Sequence, residues 1–219
     1  MVKVNKTADK KTTDITMILD RSGSMGHIQE QVIRSFNEFL AEQKKVKTKA
    51  TISLVQFDDQ YELNYEGVDI QDAKDLNEST YEPRGMTALN DAIGRTIVSM
   101  KKRLKNTKDN VLVVITTDGM ENASREFSRR QIFDMIKECE EKLGWKFMYL
   151  AADDASFDEY EDMGMDHGRS FKTGKGRRGY DHAAKVMASK IKCWRVSGDE
   201  ADLDFSKQER QDAEDIGDA

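Results

Sequence analysis

Apolar positions along this chain repeat in two ways. Short runs that are almost continuously apolar end abruptly in polar residues, as in Ile15-Thr16-Met17-Ile18-Leu19-Asp20 and Val111-Leu112-Val113-Val114-Ile115-Thr116-Thr117-Asp118. Such runs predict strands covered on both faces, over 14–20, 50–57, 111–117 and 145–152. Tyr61-Glu62-Leu63-Asn64-Tyr65 alternates instead, which predicts a strand with one wet face. Only Asp58-Asp59 and Gln60 separate it from the strand before, so the pair forms a hairpin and this third strand runs antiparallel. Between the strands, apolar residues recur at helical spacing: Ile28, Val32, Ile33, Phe36, Phe39 and Leu40; Ala88, Leu89, Ala92, Ile93, Thr96, Ile97, Met100 and Leu104; Ile132, Phe133, Met135, Ile136 and Cys139, stopped by Gly144. Ala183, Ala184, Met187, Ile191 and Trp194 mark a last helix over about 180–195. A short helix over 155–163 and an edge strand over 169–173 complete the set. Residues 66–84, polar and containing the chain's only proline, Pro83, read as a long loop.

The order strand–helix–strand–strand–helix–strand–helix–strand–helix–strand–helix predicts an α/β fold, a mostly parallel sheet with helices on both faces. In such sheets ligands bind outside the carboxyl ends of the strands, near the reversal of strand order. Two strands end there in an acid, Asp20 and Asp118. Asp20 opens the loop Asp20-Arg21-Ser22-Gly23-Ser24, which offers three oxygen side chains at alternate positions. Hard divalent cations take such ligands. Thr87 begins the helix between the two acidic strand ends. Each residue also has a local explanation: Thr87 as an N-cap, Asp118-Gly119 as a turn. Their joint placement points to one cation-binding crevice.

Composition alters this picture only at the ends. Of 219 residues, 37% are hydrophobic and 35% charged, with a formal net charge of −6. Residues 197–219 hold nine acids against Lys207 and Arg210, and residues 1–12 are basic, leaving the body close to neutral. Net charge thus offers no case for nucleic acid. The expected organisation is a basic extension over 1–12, a domain over 13–196 and an acidic, disordered tail over 197–219. Cys139 and Cys193 form no disulfide framework. No run approaches the length of a membrane helix and the first residues lack a secretory h-region, so a cytoplasmic protein is expected.

Asp20-x-Ser22-x-Ser24, Thr87 after a glycine-containing loop, and Asp118-Gly119 together resemble the metal-ion-dependent adhesion site (MIDAS) of von Willebrand factor A (VWA) domains. The resemblance covers about residues 12–195. It implies a three-layer Rossmann-like fold with sheet order 3-2-1-4-5-6. It also implies a site in which Ser22, Ser24 and Thr87 touch the metal and Asp20 and Asp118 act largely through water. Mg2+ is the expected ion, with Ca2+ and Mn2+ as alternatives. A metal held by neutral hydroxyls keeps much of its charge, and an open position would accept a partner's Asp or Glu. The resemblance therefore implies a protein-binding adaptor and not an enzyme, similar to stand-alone bacterial or phage proteins that serve AAA+ ATPases or stress-response complexes. Arg21, Met25, His27, Met86, Met120 and Glu121 are expected around the rim.

Two features lie outside that reading. Lys172, Lys175, Arg177 and Arg178 form a basic, glycine-rich loop that is not a Walker sequence. With Lys101, Lys102, Arg103 and Lys105 it could serve a nucleic-acid or ribonucleoprotein factor, and a metal-dependent hydrolase is the third alternative. The acidic tail carries carboxylates that could occupy the metal site as a pseudo-ligand.

Overall fold

A computed structural model describes residues 11–151, 163, 165, 167–172 and 177–216. The strands are β1 (Thr13–Asp20), β2 (Ala50–Phe57), β3 (Tyr61–Asp69), β4 (Asn110–Thr117), β5 (Lys146–Ala151) and β6 (Ser170–Lys172). They form one sheet in the order β3-β2-β1-β4-β5-β6. Every neighbouring pair is parallel except β2 with β3, which is antiparallel as the short turn requires. The helices are α1 (Gln29–Lys44), α2 (Leu89–Arg103), α3 (Arg129–Leu143), α4 (Arg177–Ser197) and α5 (Lys207–Asp215). The helix expected over 155–163 lies outside the described residues, apart from Met163.

Strand alternation divides the core in two. Ile15, Met17 and Leu19 of β1 with Leu112 and Val114 of β4 face Val32, Phe36, Met187 and Ile191, contributed by α1 and α4. Ile18, Val113 and Ile115 face the other way, toward Ile93 and Ile97 of α2 and Ile132 and Ile136 of α3. Each fully buried aliphatic side chain contributes about 1.5–3 kcal/mol, so both layers hold the strand ends in register. Gly144 ends α3 in the left-handed conformation, with φ 68°.

Two expectations are corrected. The strand after the hairpin runs on to Asp69, through register shifts opposite Ile52, Leu54 and Val55. The segment that follows buries Ile70, Ala73, Leu76 and Tyr81, so it packs as part of the α1 layer. The acidic tail is folded over residues 200–215. A 3-10 turn at Glu200–Leu203 leads to α5, whose start carries a Ser206–Glu209 capping box. Leu203, Phe205 and Ala213 are its few apolar side chains in the core, and all three are buried. Phe205 stacks on Phe171 with ring centroids 4.4 Å apart, and Arg210 donates to the Gly168 and Ser170 carbonyls. Composition suggests disorder, yet the spacing of these three residues leaves Asp199, Glu200 and Asp212 exposed while the tail covers the short edge strand β6. Lys146, at the amino end of β5, pairs with Glu200 at 2.6 Å, so this tail lies toward the sheet's amino edge, away from Asp20 and Asp118. The described tail therefore does not act as a pseudo-ligand for its own chain's crevice.

Gly94 of α2 faces Phe127, and a Cβ there would lie 2.5 Å from the ring's Cγ. Glycine ordinarily costs a helix about 1 kcal/mol relative to alanine. Here overpacking outweighs that gain, so Gly94→Ala should lower stability by about 1–2 kcal/mol in urea unfolding. A more stable variant would show that Phe127 moves aside freely.

Candidate metal centre

β1 delivers Asp20 to the carboxyl edge of the sheet with its side chain fully buried. One carboxylate oxygen accepts the Ser22 backbone N–H at 2.6 Å, and the other accepts the Thr117 hydroxyl at 2.5 Å. The chain then turns into a 3-10 helix over Gly23–Ile28. This turn brings the Ser22 and Ser24 hydroxyl oxygens within 3.0 Å of each other. Ser24 donates on to Asp118 Oδ1 at 2.7 Å, linking the first loop to the end of β4.

Thr87 enters from the third loop. It does not cap α2: the N-cap position is Ala88, which has no side-chain cap bond. The first amides of α2 are served from across the crevice, Asn90 by Glu121 Oε2 at 2.8 Å and Asp91 by Ser124 Oγ at 3.0 Å. The Thr87 hydroxyl is thereby left for the crevice. Gly119 shows where it points, since a Cβ on that residue would sit 2.9 Å from Thr87 Oγ1, 3.3 Å from Ser24 Oγ and 3.7 Å from Ser22 Oγ. Three hydroxyls from two loops thus converge on the space beside one glycine, next to two buried carboxylates. All five expected residues are together, and only Ser24 is exposed.

Burial pushes the Asp20 pKa up to about 7; bonds from Thr117 and Ser22 oppose the rise, and the nearby Asp118 charge adds to it. Two carboxylates in a dry crevice favour a cation between or beside them. Among the described residues no three His, Cys, Asp or Glu side chains form a ready metal cage. The donor set is hydroxyl-rich, which suits a hard ion that retains water. The residues therefore fit the divalent cation that the motif implies.

The surrounding loops are tied by residues whose roles the sequence pattern does not reveal. Asp58, expected as a turn residue, is fully buried. It accepts Arg21 Nε at 3.2 Å, Arg84 Nε at 2.9 Å and the Gln60 N–H at 2.6 Å, joining the first and third loops. Asn122 Oδ1 accepts the Thr87 N–H at 2.9 Å. Asp91 accepts three amides, from Arg125, Glu126 and Phe127. Burial works against its charge, yet those three donors outweigh it and hold its pKa below the usual carboxylate value. Tyr81 donates to the Asp20 carbonyl at 2.6 Å.

The expected rim divides. Met86 and Met120 are exposed, and His27 stands at the mouth with Nδ1 2.6 Å from the Ser24 carbonyl and 3.8 Å from Asp118 Oδ2. Arg21 is buried against Asp58 and Glu62, and Met25 is wholly within the core, because the 3-10 turn rotates it under the loop. Glu121 faces inward as a cap for α2 and for its own loop amides. Among the described residues the alternative basic patch is split between the two edges of the sheet. Lys101 pairs with Glu138 and Arg103 with Asp14, at the amino edge of the sheet. Lys172 ends β6, Arg177 and Arg178 open α4, and Lys175 lies outside the described residues.

Sheet order, antiparallel β3 and an oxygen-lined crevice at the carboxyl edge define a doubly wound α/β domain of the adhesion-site type. The chain belongs to the von Willebrand factor type A domain family, whose model matches residues 14–177. Nearly all of α4 and the whole tail fall beyond that match. Proximal thread matrix protein 1 from the mussel byssus is similar at 16% identity and TM-score 0.59, over 84% of this chain and 46% of that one. A further structure of the mussel protein has a zinc-occupied MIDAS motif. A manganese-loaded TRAP protein of Plasmodium vivax matches at 18% identity and TM-score 0.50, over 66% of this chain and 58% of that one. The vWF domain of the pilus tip protein Mfa5 from Porphyromonas gingivalis matches at 12% identity and TM-score 0.61, over 85% and 97%. This chain thus spans only about half the length of the mussel and Plasmodium proteins. At such identities the likeness establishes the fold. Comparison with curated protein sequences finds no match. Neither the AAA+ ATPase and stress-response partners nor the cytoplasmic location gains support from these neighbours. Among the described residues no helix is long and apolar enough to cross a membrane.

Asp20 gives a pH test. Its folded pKa, about 7, exceeds the 3.8 of an unperturbed side chain, so the folded protein holds this proton more tightly. The contribution is full below about pH 4 and is lost as pH rises toward 7, by at most about 4 kcal/mol. In EDTA, wild type should lose stability between pH 5 and pH 8 relative to Asp20→Asn, measured by urea unfolding. Parallel curves would remove the assignment of a strained carboxylate.

Proposed function

We propose that this chain is a divalent-cation-dependent protein-binding module. Ser22, Ser24 and Thr87 hold the ion through their hydroxyls, while Asp20 and Asp118 supply charge from beside it. Mg2+ is the expected resident ion, with Mn2+ and Ca2+ as alternatives. The cation supplies a positive centre that accepts an anionic oxygen from outside, a side-chain carboxylate of a partner protein. The observation that carries this reading is the convergence of three hydroxyls on the space that Gly119 leaves free. His27 Nδ1 meets the Ser24 carbonyl and not a serine hydroxyl, while Ser24 itself donates to Asp118. This favours binding over hydrolysis.

Gly119→Ala tests the cradle. Gly119 does not use a positive φ, so alanine is compatible with its backbone. The added methyl would occupy the space facing Thr87 Oγ1. Calorimetric Mn2+ affinity of the folded variant should fall at least tenfold, about 1.4 kcal/mol. Unaltered affinity would place the ion elsewhere. The partner is tested by pull-down from native lysate with and without EDTA, comparing wild type with Asp20→Ala. A protein retained only by wild type in Mg2+ is expected; partners indifferent to both changes would contradict the proposed function.

A further inference from the structure

The amino edge of the sheet, opposite Asp20 and Asp118, carries a cavity of about 730 Å³. Lys11 lies just before β1, Asn110 and Val111 begin β4, and Lys146 begins β5, which fixes its place. The ends of α2 and α3 and Trp194 of α4 surround it, and Gly198 and Glu200 close one side. Trp194, Gly198 and Glu200 lie beyond the residues that the family model matches, so this chain completes the cavity with its own extension. The volume falls within the roughly 300–1,000 Å³ common for small-molecule sites.

Charge is distributed unevenly around it. Five lysines and three carboxylates line the cavity, a net charge of +2 in a chain that totals −6. Lys101 and Lys146 are engaged, with Glu138 at 2.5 Å and Glu200 at 2.6 Å. Lys11, Lys105 and Lys108 are exposed at the mouth and, among the described residues, have no carboxylate within ion-pair distance. The third acid, Asp109, leaves the mouth positive.

Helix ends do not account for these lysines. Lys105 and Lys108 follow the last turn of α2, Lys11 belongs to no helix, and dipole attraction fades beyond the last turn. Carbonyls near the helix ends also have donors: Met100 accepts from Leu104, Cys139 from Gly144 and Trp145, and Trp194 from Gly198. Like charges around a concave surface focus a positive potential into it. The floor beneath is apolar, since Leu104, Val111, Trp145 and Trp194 are all buried.

We propose that this cavity binds a small oligophosphate ligand, with its phosphates on Lys11, Lys105 and Lys108 and any organic body on the apolar floor. Three cations suit several closely spaced negative charges better than a single carboxylate. Asp109, Glu138 and Glu200 interrupt the basic surface, which disfavours a nucleic-acid strand running along it. A bare oligophosphate and a nucleoside triphosphate share the required chemistry. The site is separate from the cation crevice and does not depend on it.

Both tryptophans of the chain, Trp145 and Trp194, line the cavity, so fluorescence reports its occupation. The full chain is titrated with sodium tripolyphosphate in EDTA, which keeps divalent ions from bridging phosphate to Asp20 and Asp118. ATP affinity is measured by calorimetry in the same buffer. Tripolyphosphate should change the fluorescence saturably. Its affinity should fall about fivefold in each of Lys11→Ala, Lys105→Ala and Lys108→Ala. It should keep the wild-type value in Lys102→Ala, an exposed lysine outside the cavity. Tighter binding of ATP identifies nucleotides as the source, and equal or weaker binding identifies bare oligophosphate. No saturable change, an affinity unmoved by the three cavity substitutions, or equal losses in all four variants would overturn the proposal. So would a single-stranded oligonucleotide that binds more tightly than either probe and weakens in Lys102→Ala, because the edge would then be a nucleic-acid surface.

Discussion

A carboxylate buried at the end of a central strand must be compensated or protonated, and the site is built around that constraint. Asp20 has no contact with solvent, and Asp118 stands nearby, just past the end of the adjacent strand β4. Hydrogen bonds from Ser22 and Thr117 offset part of the desolvation, yet the pKa still rises to about 7. A divalent ion at the three hydroxyls would resolve the conflict, because its charge offsets both carboxylates and favours their ionised forms. The same desolvation that raises the Asp20 pKa would favour binding of such an ion.

Such a site works only if loops distant in sequence keep their spacing. The carboxyl edge of a parallel sheet supplies the ends of β1 and β4 side by side. The third loop needs separate anchors, and buried polar groups supply them. Asp58 holds the Arg21 and Arg84 side chains on one carboxylate. Asp91, Glu121 and Ser124 exchange bonds between the first turn of α2 and the loop after β4, while Asn122 holds the Thr87 amide. These links tie Thr87 and the start of α2 to the loop that also carries Gly119. They also explain why the Thr87 hydroxyl is free for the crevice: its capping task is done by other residues.

Much of this was legible in the sequence because it depends on periodicity and on residue types that end strands. The continuous apolar runs of β1 and β4, the alternation of Tyr61–Tyr65 and the two acidic strand ends carry the topology and bring the five candidate residues to one edge of the sheet. The anchors were not legible. Asp58 beside Asp59 reads as a turn pair, and only the third dimension shows one carboxylate buried under two arginines. Met25 and Glu121 sit next to motif residues in sequence but face inward, since a 3-10 turn and a helix-capping loop rotate them away from the mouth. The tail misled for a different reason. Its mean composition is that of a solvated segment, while Leu203, Phe205 and Ala213 carry the packing on β6 and α4.

The most direct test of the cradle is a crystal of the full chain soaked in Mn2+, with an anomalous difference map. A single peak within coordination distance of the Ser22, Ser24 and Thr87 hydroxyls, beside Asp20 and Asp118, is the predicted result. A map with no peak at that point, or with the ion bound elsewhere on the chain, would contradict it.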